Sequence, residues 1–137
     1  MKILAVDLGL VRTGLAVSDY NQILASPLCV ITEKNRETLI KKICQICRDE
    51  NIQKIVVGLP KNMDGSEGES ARNARDFAAD LSSSSNLPVR MIDERGTTIS
   101  AHNFLNETDV RSKKRKNLVD AVAATIILQN YLDSQEN

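Results

Sequence analysis

Lys2-Ile3-Leu4-Ala5-Val6-Asp7-Leu8, then Gly14-Leu15-Ala16-Val17-Ser18, then Gln22 to Ile31 open the chain as short apolar runs. Gly9 to Arg12 separates the first two, and Asp19-Tyr20-Asn21 separates the next two. Runs of this length bounded by turn residues read as strands, and connections this short force antiparallel neighbours. After Asn35, which suits an N-cap, the apolar spacing becomes helical and continues to about Glu50. Lys54 to Gly58 is then a buried strand built on Ile55-Val56-Val57, followed by a long polar loop from Leu59 to Gly68. Ser66 and Glu69 have capping-box spacing for a second helix that turns Ala74, Phe77, Ala78 and Leu81 inward. Ser82 to Ser85 with Asn86 reads as a turn, and Pro88 starts the strand Val89-Arg90-Met91-Ile92. Thr97 or Thr98 caps a shorter helix carrying Ala101, Phe104 and Leu105 inward, and the basic stretch Arg111 to Lys116 leads to a last helix ending near Leu132. Strands that alternate with helices pair in parallel through right-handed crossovers, whereas the first three meander. The expected fold is α/β, a five-stranded mixed sheet flanked by helices.

The chain has 137 residues and a mass of 15.1 kDa, which suits one domain spanning 1–137. With 42% hydrophobic and 26% charged residues, it falls outside the disordered, collagenous and fibrous classes. Eighteen basic residues balance eighteen acidic ones, so a nucleic acid has to be met by a local patch. No apolar run reaches membrane length and the opening is too briefly apolar for a signal peptide, so a cytoplasmic location without a membrane partner is expected. Three cysteines fit reduced thiols. Cys44 and Cys47 form a C-x-x-C, but Leu39, Ile43, Ile46 and Cys47 share one helical face with Ile40 and Cys44 beside them. That pattern makes the thiols small core groups; a tetrahedral metal site would have to recruit Cys29 and His102, which lack ligand spacing.

Three acids stand out. Asp7 ends the apolar strand Ile3-Leu4-Ala5-Val6, where a carboxylate either caps the turn or needs a donor or cation, because burying it unpaired costs several kcal/mol. Asp120 is the single acid in the apolar helix Leu118 to Leu128. It either serves the first turn behind an Asn117 cap or faces a site, and the two roles are compatible. Asp93 and Glu94 end the last strand beside Arg95, as a solvated ion pair or with one of them turned to a site. Ligands of open sheets gather beyond the carboxyl ends of parallel strands, so Asp7, Glu94 and the first turn of the Asp120 helix can share one rim. Converging carboxylates repel unless a hard cation neutralises them, which points to Mg2+ or Mn2+ and to phosphodiester cleavage.

Lys113, Lys114, Arg115 and Lys116 precede Asp120, and Arg12, Lys61, Arg72 and Arg75 can extend their surface. Beside an acidic metal site such a run has a use beyond solvation, holding phosphates. Two Tyr and two Phe are too few for a stacking platform, so backbone and shape recognition is expected. The loop Gly58 to Gly68 lacks the Gly-Lys-Ser/Thr ending of a P-loop.

Asp7-Leu8-Gly9 with Arg12, Gly14 and Ala16-Val17-Ser18-Asp19, Val57-Gly58-Leu59-Pro60 with Asn62-Met63-Asp64-Gly65, Asp93-Glu94-Arg95 with Thr97-Thr98, and Val119-Asp120 with Ala123-Ala124 and Ile127-Leu128-Gln129 together resemble the YqgF family. This family is also called RuvX, or Holliday-junction-resolvase-like. The resemblance follows the motif order from residue 1 to about residue 133. It implies a ribonuclease H-like fold with strand order 3-2-1-4-5 and a cytoplasmic bacterial nuclease that matures the 5′ end of pre-16S ribosomal RNA. It also implies a divalent metal, with Asp7, Glu94 and Asp120 at the family's acidic positions. Gly96 departs from the family's usual Leu, and Asn117 and Ala123 flank Asp120 where RuvC-type resolvases carry a second acid. In that strand order Glu94 is two strands from Asp7, about 9 to 10 Å, so its side chain leans inward or Asp64 or Glu67 serves instead.

The expectation is a metal-dependent endonuclease on pre-16S RNA, alone or at the ribosome, as a monomer or homodimer. Its rivals are a dimeric resolvase of structured DNA and a non-catalytic RNA-binding ribosome-assembly module. Asp7-Leu8-Gly9 with Gly14 also mimics the phosphate hairpin of sugar-kinase or actin-like ATPases, but those close two such domains around ATP.

Overall fold

The opening apolar runs form β1 (Lys2–Asp7), β2 (Arg12–Ser18) and β3 (Ala25–Thr32). The computed structural model describes residues 1–93 and 112–134, the stretch 112–120 in backbone only. Then come α1 (Arg36–Asp49), β4 (Ile52–Leu59), α2 (Glu69–Ser85), β5 (Val89–Asp93) and α3 (Ser112–Ser134). The sheet runs β3-β2-β1-β4-β5, the order that the resemblance implies. β1 pairs antiparallel with β2 and parallel with β4, which in turn pairs parallel with β5. Edge strand β3 carries Pro27 and a register break opposite Leu15/Ala16, both of which discourage pairing with another chain.

The period of two divides the sheet into two faces. Leu4, Val6, Leu15, Ile55 and Val57 pack against Leu39 and Ile43 of α1 and Phe77 and Leu81 of α2. Ile3, Ala5, Ala16 and Val56 meet Ala124, Leu128 and Tyr131 of α3. Small residues on both sides of this second layer let the helix lie close to the sheet. Among the described residues no helix is long and apolar enough to cross a membrane.

The Asn35 cap is present: its Oδ1 accepts from the Thr38 N–H at 2.9 Å. The expected Ser66 capping box is not. α2 starts from Gly68 with no side-chain cap, because the Ser66 hydroxyl donates to Asp64 Oδ1 at 2.6 Å and accepts from Asn62 Nδ2 at 2.9 Å. Local loop partners win over the helix end. Ser82 to Ser85 belong to the last turn of α2, and the turn itself is left to Asn86, at φ 60°, whose N–H bonds the Ser82 carbonyl at 2.9 Å. β3 begins three residues after Gln22, since Asp19 Oδ1 accepts from the N–H groups of Ile23 and Leu24 and extends the turn. α3 begins at Ser112, so Lys113 to Lys116 are helical and Asn117 is no cap; Lys and Arg are good helix formers. The expected short helix after Thr97 or Thr98 lies outside the described residues.

Cys44 and Cys47 are buried on α1 and Cys29 is half-buried, all three as free thiols. Burial pushes the Cys47 thiol up to about 12, with Cys44 adding to the rise, so the protonated form prevails through neutral pH. Alkylation of Cys47 by iodoacetamide at pH 8 is therefore expected to be slow until denaturant opens the fold; rapid native-state labelling would contradict the core role. Phe77→Ala, at a fully buried side chain, is expected to lower unfolding free energy by about 3–5 kcal/mol in urea titrations.

Candidate active site

Asp7 shares the parity of Ile3 and Ala5, which face α3, and so stands on that face at the carboxyl end of β1. It is half-buried. Its register partner on β2 is Gly14. On the other side Val6 pairs with Val57, which brings Gly58 alongside, on the face occupied by Val56. The carboxylate thus has a glycine on each flank. Arg12 lies two residues beyond Gly14 on the same face, diagonal to Asp7. The tight turn between them needs Gly9, since a Cβ there would overlap the Arg12 carbonyl oxygen. Gly9 N–H also points at the buried Thr13 hydroxyl, at 3.5 Å.

α3 is anchored at the opposite end of β1. Tyr131 OH meets Lys54 Nζ, and Lys54 pairs with Ile3. Gln129 Oε1 accepts from the Ala25 N–H at 2.9 Å, and its Nε2 donates to the Ile23 carbonyl at 3.0 Å. From Tyr131 back to position 120 the helix rises about 17 Å, while Ile3 to Asp7 covers about 13 Å of strand. The backbone of residue 120 therefore reaches the level of Asp7, one turn before Ala124, which is buried against the sheet. The side chain of Asp120, and all of Glu94, lie outside the described residues.

Asp93 ends β5 opposite Leu59, with the parity of Val89 and Met91, which pack toward α1 and α2. Among the described residues no three acids, histidines or cysteines gather closely enough to hold an ion. The substitute acids are engaged elsewhere. Asp64 Oδ1 accepts from the N–H and hydroxyl of Ser66. Glu67 makes a two-pronged pair with Arg75 at 2.7 and 2.8 Å, which holds its carboxyl below the usual range and raises the guanidinium in return.

Of the basic residues singled out in the sequence, the sheet puts Arg12 beside Asp7. Lys61 follows β4 at the same edge, its N–H bonded to the Leu59 carbonyl at 3.0 Å. Arg72 is exposed in the first turns of α2, while Arg75 is occupied by Glu67. Lys113, Lys114, Arg115 and Lys116 occupy the first turns of α3, their side chains outside the described residues. Sequence reasoning overlooked Gly14 and Gly58 as neighbours of Asp7. For Gly14 the signal was there, since closing the short hairpin sets Asp7 opposite it.

The family model for RuvX, described as Holliday junction resolvase, matches residues 1–134. A Natranaerobius thermophilus protein named "Putative pre-16S rRNA nuclease" is 42% identical over 137 residues, covering 100% of this chain and 97% of the relative. A Clostridium acetobutylicum protein of the same name is also 42% identical, over 98% of this chain and 99% of its own length. The solved structure of T. thermophilus RuvC in complex with Holliday junction substrate superposes with a TM-score of 0.62 at 13% identity, over 98% of this chain and 95% of that one. A likeness at that identity reaches the fold alone, which is ribonuclease H-like. With a family match from end to end and relatives of one name at this identity, the chain belongs to the RuvX family of nucleases.

Proposed function

We propose that this chain, as a single nuclease domain, is a divalent-metal-dependent endonuclease that matures the 5′ end of pre-16S ribosomal RNA. One observation carries the site: Asp7 stands at the carboxyl edge of the sheet, between Gly14 and Gly58, on the face that α3 covers. Glycines at both flanking positions set no side chain directly opposite the acid, which supports the approach of a cation and of a phosphate from the sheet edge. Asp7, Glu94 and Asp120 are the residues that would hold Mg2+ or Mn2+, supported by the backbone level of residue 120. The ion would supply charge neutralisation at the scissile phosphate and acidify the attacking water. Hydrolysis forms a bond from water oxygen to phosphorus as the bond to the 3′ oxygen breaks, leaving a 5′-phosphate and a 3′-hydroxyl. Arg12, Lys61 and Arg72, with Lys113 to Lys116, hold the RNA backbone; Arg75 is left out because Glu67 already neutralises it. The RNA substrate rests on the name borne by relatives at 42% identity. Cleavage of junction DNA has the RuvC fold behind it at 13% identity, which reaches no substrate.

Calorimetric titration with Mn2+ is expected to show binding by the wild type that Asp7→Asn abolishes. Cleavage of precursor RNA by that variant should fall on the order of 10²–10³-fold. Undiminished binding and cleavage in Asp7→Asn would sink the assignment. Gly14→Val, which a strand tolerates but which places two methyl groups beside the carboxylate, is expected to weaken Mn2+ binding while far-ultraviolet circular dichroism stays unchanged. Wild-type affinity in that variant would show that the gap on the β2 side plays no part.

A further inference from the structure

A cleft of 230 Å³ opens at the same edge of the sheet on the opposite face, between the turn that follows β1 and the first turns of α1 and α2. Its apolar lining is Leu8 and Pro60, both half-buried, over Leu39, Ala74 and Phe77, which are buried beneath them. Its lip is Leu10, 87% exposed, at the tip of a turn held by the Gly9 packing and by the Glu33 N–H to Val11 carbonyl bond of 2.8 Å. On the rim Glu33 is paired with Lys42 at 3.1 Å and Arg36 with Asp80 at 3.5 Å. The Lys34 ammonium, the Ser70 hydroxyl and the Asn73 amide have no such partner among the described residues.

An apolar slot, an amide offering both donors and an acceptor, and a cation at the rim without a partner among the described residues match the parts of one nucleotide. The chain has few aromatics, and among the described residues Tyr131 is buried on the α3 face while Tyr20 is at the far end of the sheet. A base leaving its stack at this edge is therefore received by a slot and not by an open aromatic platform.

We propose that this cleft is a subsite for one unstacked nucleobase of the RNA strand whose neighbouring phosphate meets Asp7. The base lies between Leu10 and the half-buried Leu8 and Pro60, its polar edge at Asn73 and Ser70 and its phosphate at Lys34. The strand folds over the sheet edge, from the α3 face to the α1 and α2 face. The subsite rests on the nucleic-acid reading above.

The test uses the full chain in EDTA, so that binding is read without cleavage, with a short single-stranded RNA carrying 2-aminopurine. Wild type should raise the probe's fluorescence as the base leaves its stack. Asn73→Ala and Leu10→Ser, both at exposed positions, should reduce that rise and weaken binding about 5- to 10-fold. Lys34→Ala should lower the slope of log affinity against log salt by about 0.7, the value for one phosphate contact on a single strand. Lys41→Ala, away from this cleft, should leave the fluorescence rise intact. Wild-type fluorescence and affinity in both Asn73→Ala and Leu10→Ser overturn the subsite and spare the nuclease reading. Wild-type protein that binds no RNA either in EDTA or with Mg2+ present overturns both. Adenosine monophosphate that binds with the same dependence on Asn73, with no fluorescence change from the RNA, assigns the cleft to free nucleotides and overturns the RNA subsite.

Discussion

The parallel ladder between β1 and β4, from Ile3 opposite Lys54 to Val6 opposite Val57, puts the first strand of the chain at the centre of the sheet. A central strand has both backbone edges paired and both faces covered, so its interior must be apolar, and Ile3, Leu4, Ala5 and Val6 are at most 1% exposed. Asp7 is the first position where that requirement lapses. Its place follows from the ladder: one residue further along, the sheet ends, and a carboxylate can be half-covered by protein and still reach solvent. Side chains alternate with a period of two, so the same ladder also decides which layer the acid faces.

The two layers differ in texture. α1 and α2 fill their side with large residues such as Phe77, Leu81, Ile43 and Leu39, and close it as an ordinary core. α3 packs on Ala5, Ala16 and Ala25 with Ala124 and Leu128, an arrangement in which helix and sheet approach closely and position 120 is carried to the rim. The length of α3 contributes as well. Its far end is held by Tyr131 and Gln129 at the amino end of β1 and at the turn before β3, so its level along the strands is set at a distance from the acids. Electrostatics at the rim are local. Glu67 and Arg75 cancel one another, while Arg12 is set diagonally to Asp7 and Lys34, at the opposite cleft, has no partner among the described residues.

Most of the element order was readable because each element is locally consistent. The apolar alternation of the strands, the helical face Leu39, Ile40, Ile43, Cys44, Cys47, and the Asn35 cap all depend on near neighbours. Apart from the start of α3, the misjudged boundaries fall where a short polar side chain had two partners within reach. Ser66 could have capped a helix and bonded Asp64 instead; Ser82 to Ser85 had turn composition yet stayed helical, with the Ser82 hydroxyl donating to the Leu87 carbonyl at 3.2 Å. Asp64 and Glu67 were named from the sequence as stand-in acids, and the partners that they have in their own loop and on the next helix were not legible there.

The sequence by itself determined that the chain makes a mixed α/β sheet, that Asp7 ends its first strand, and that the cysteines belong to a core. Each follows from periodicity and from the energetic penalty of placing polar groups in apolar runs, which act over a few residues. Only the tertiary structure decided that Gly58 flanks Asp7 on the β4 side, that position 120 lies level with it, and that Lys34 joins Ser70 and Asn73 around a cleft on the other face. Those relations join residues tens of positions apart, and they exist only once the register of β1 against β2 and β4 is set. Register is a cooperative property of paired backbones and buried faces, with no counterpart in any single stretch of chain.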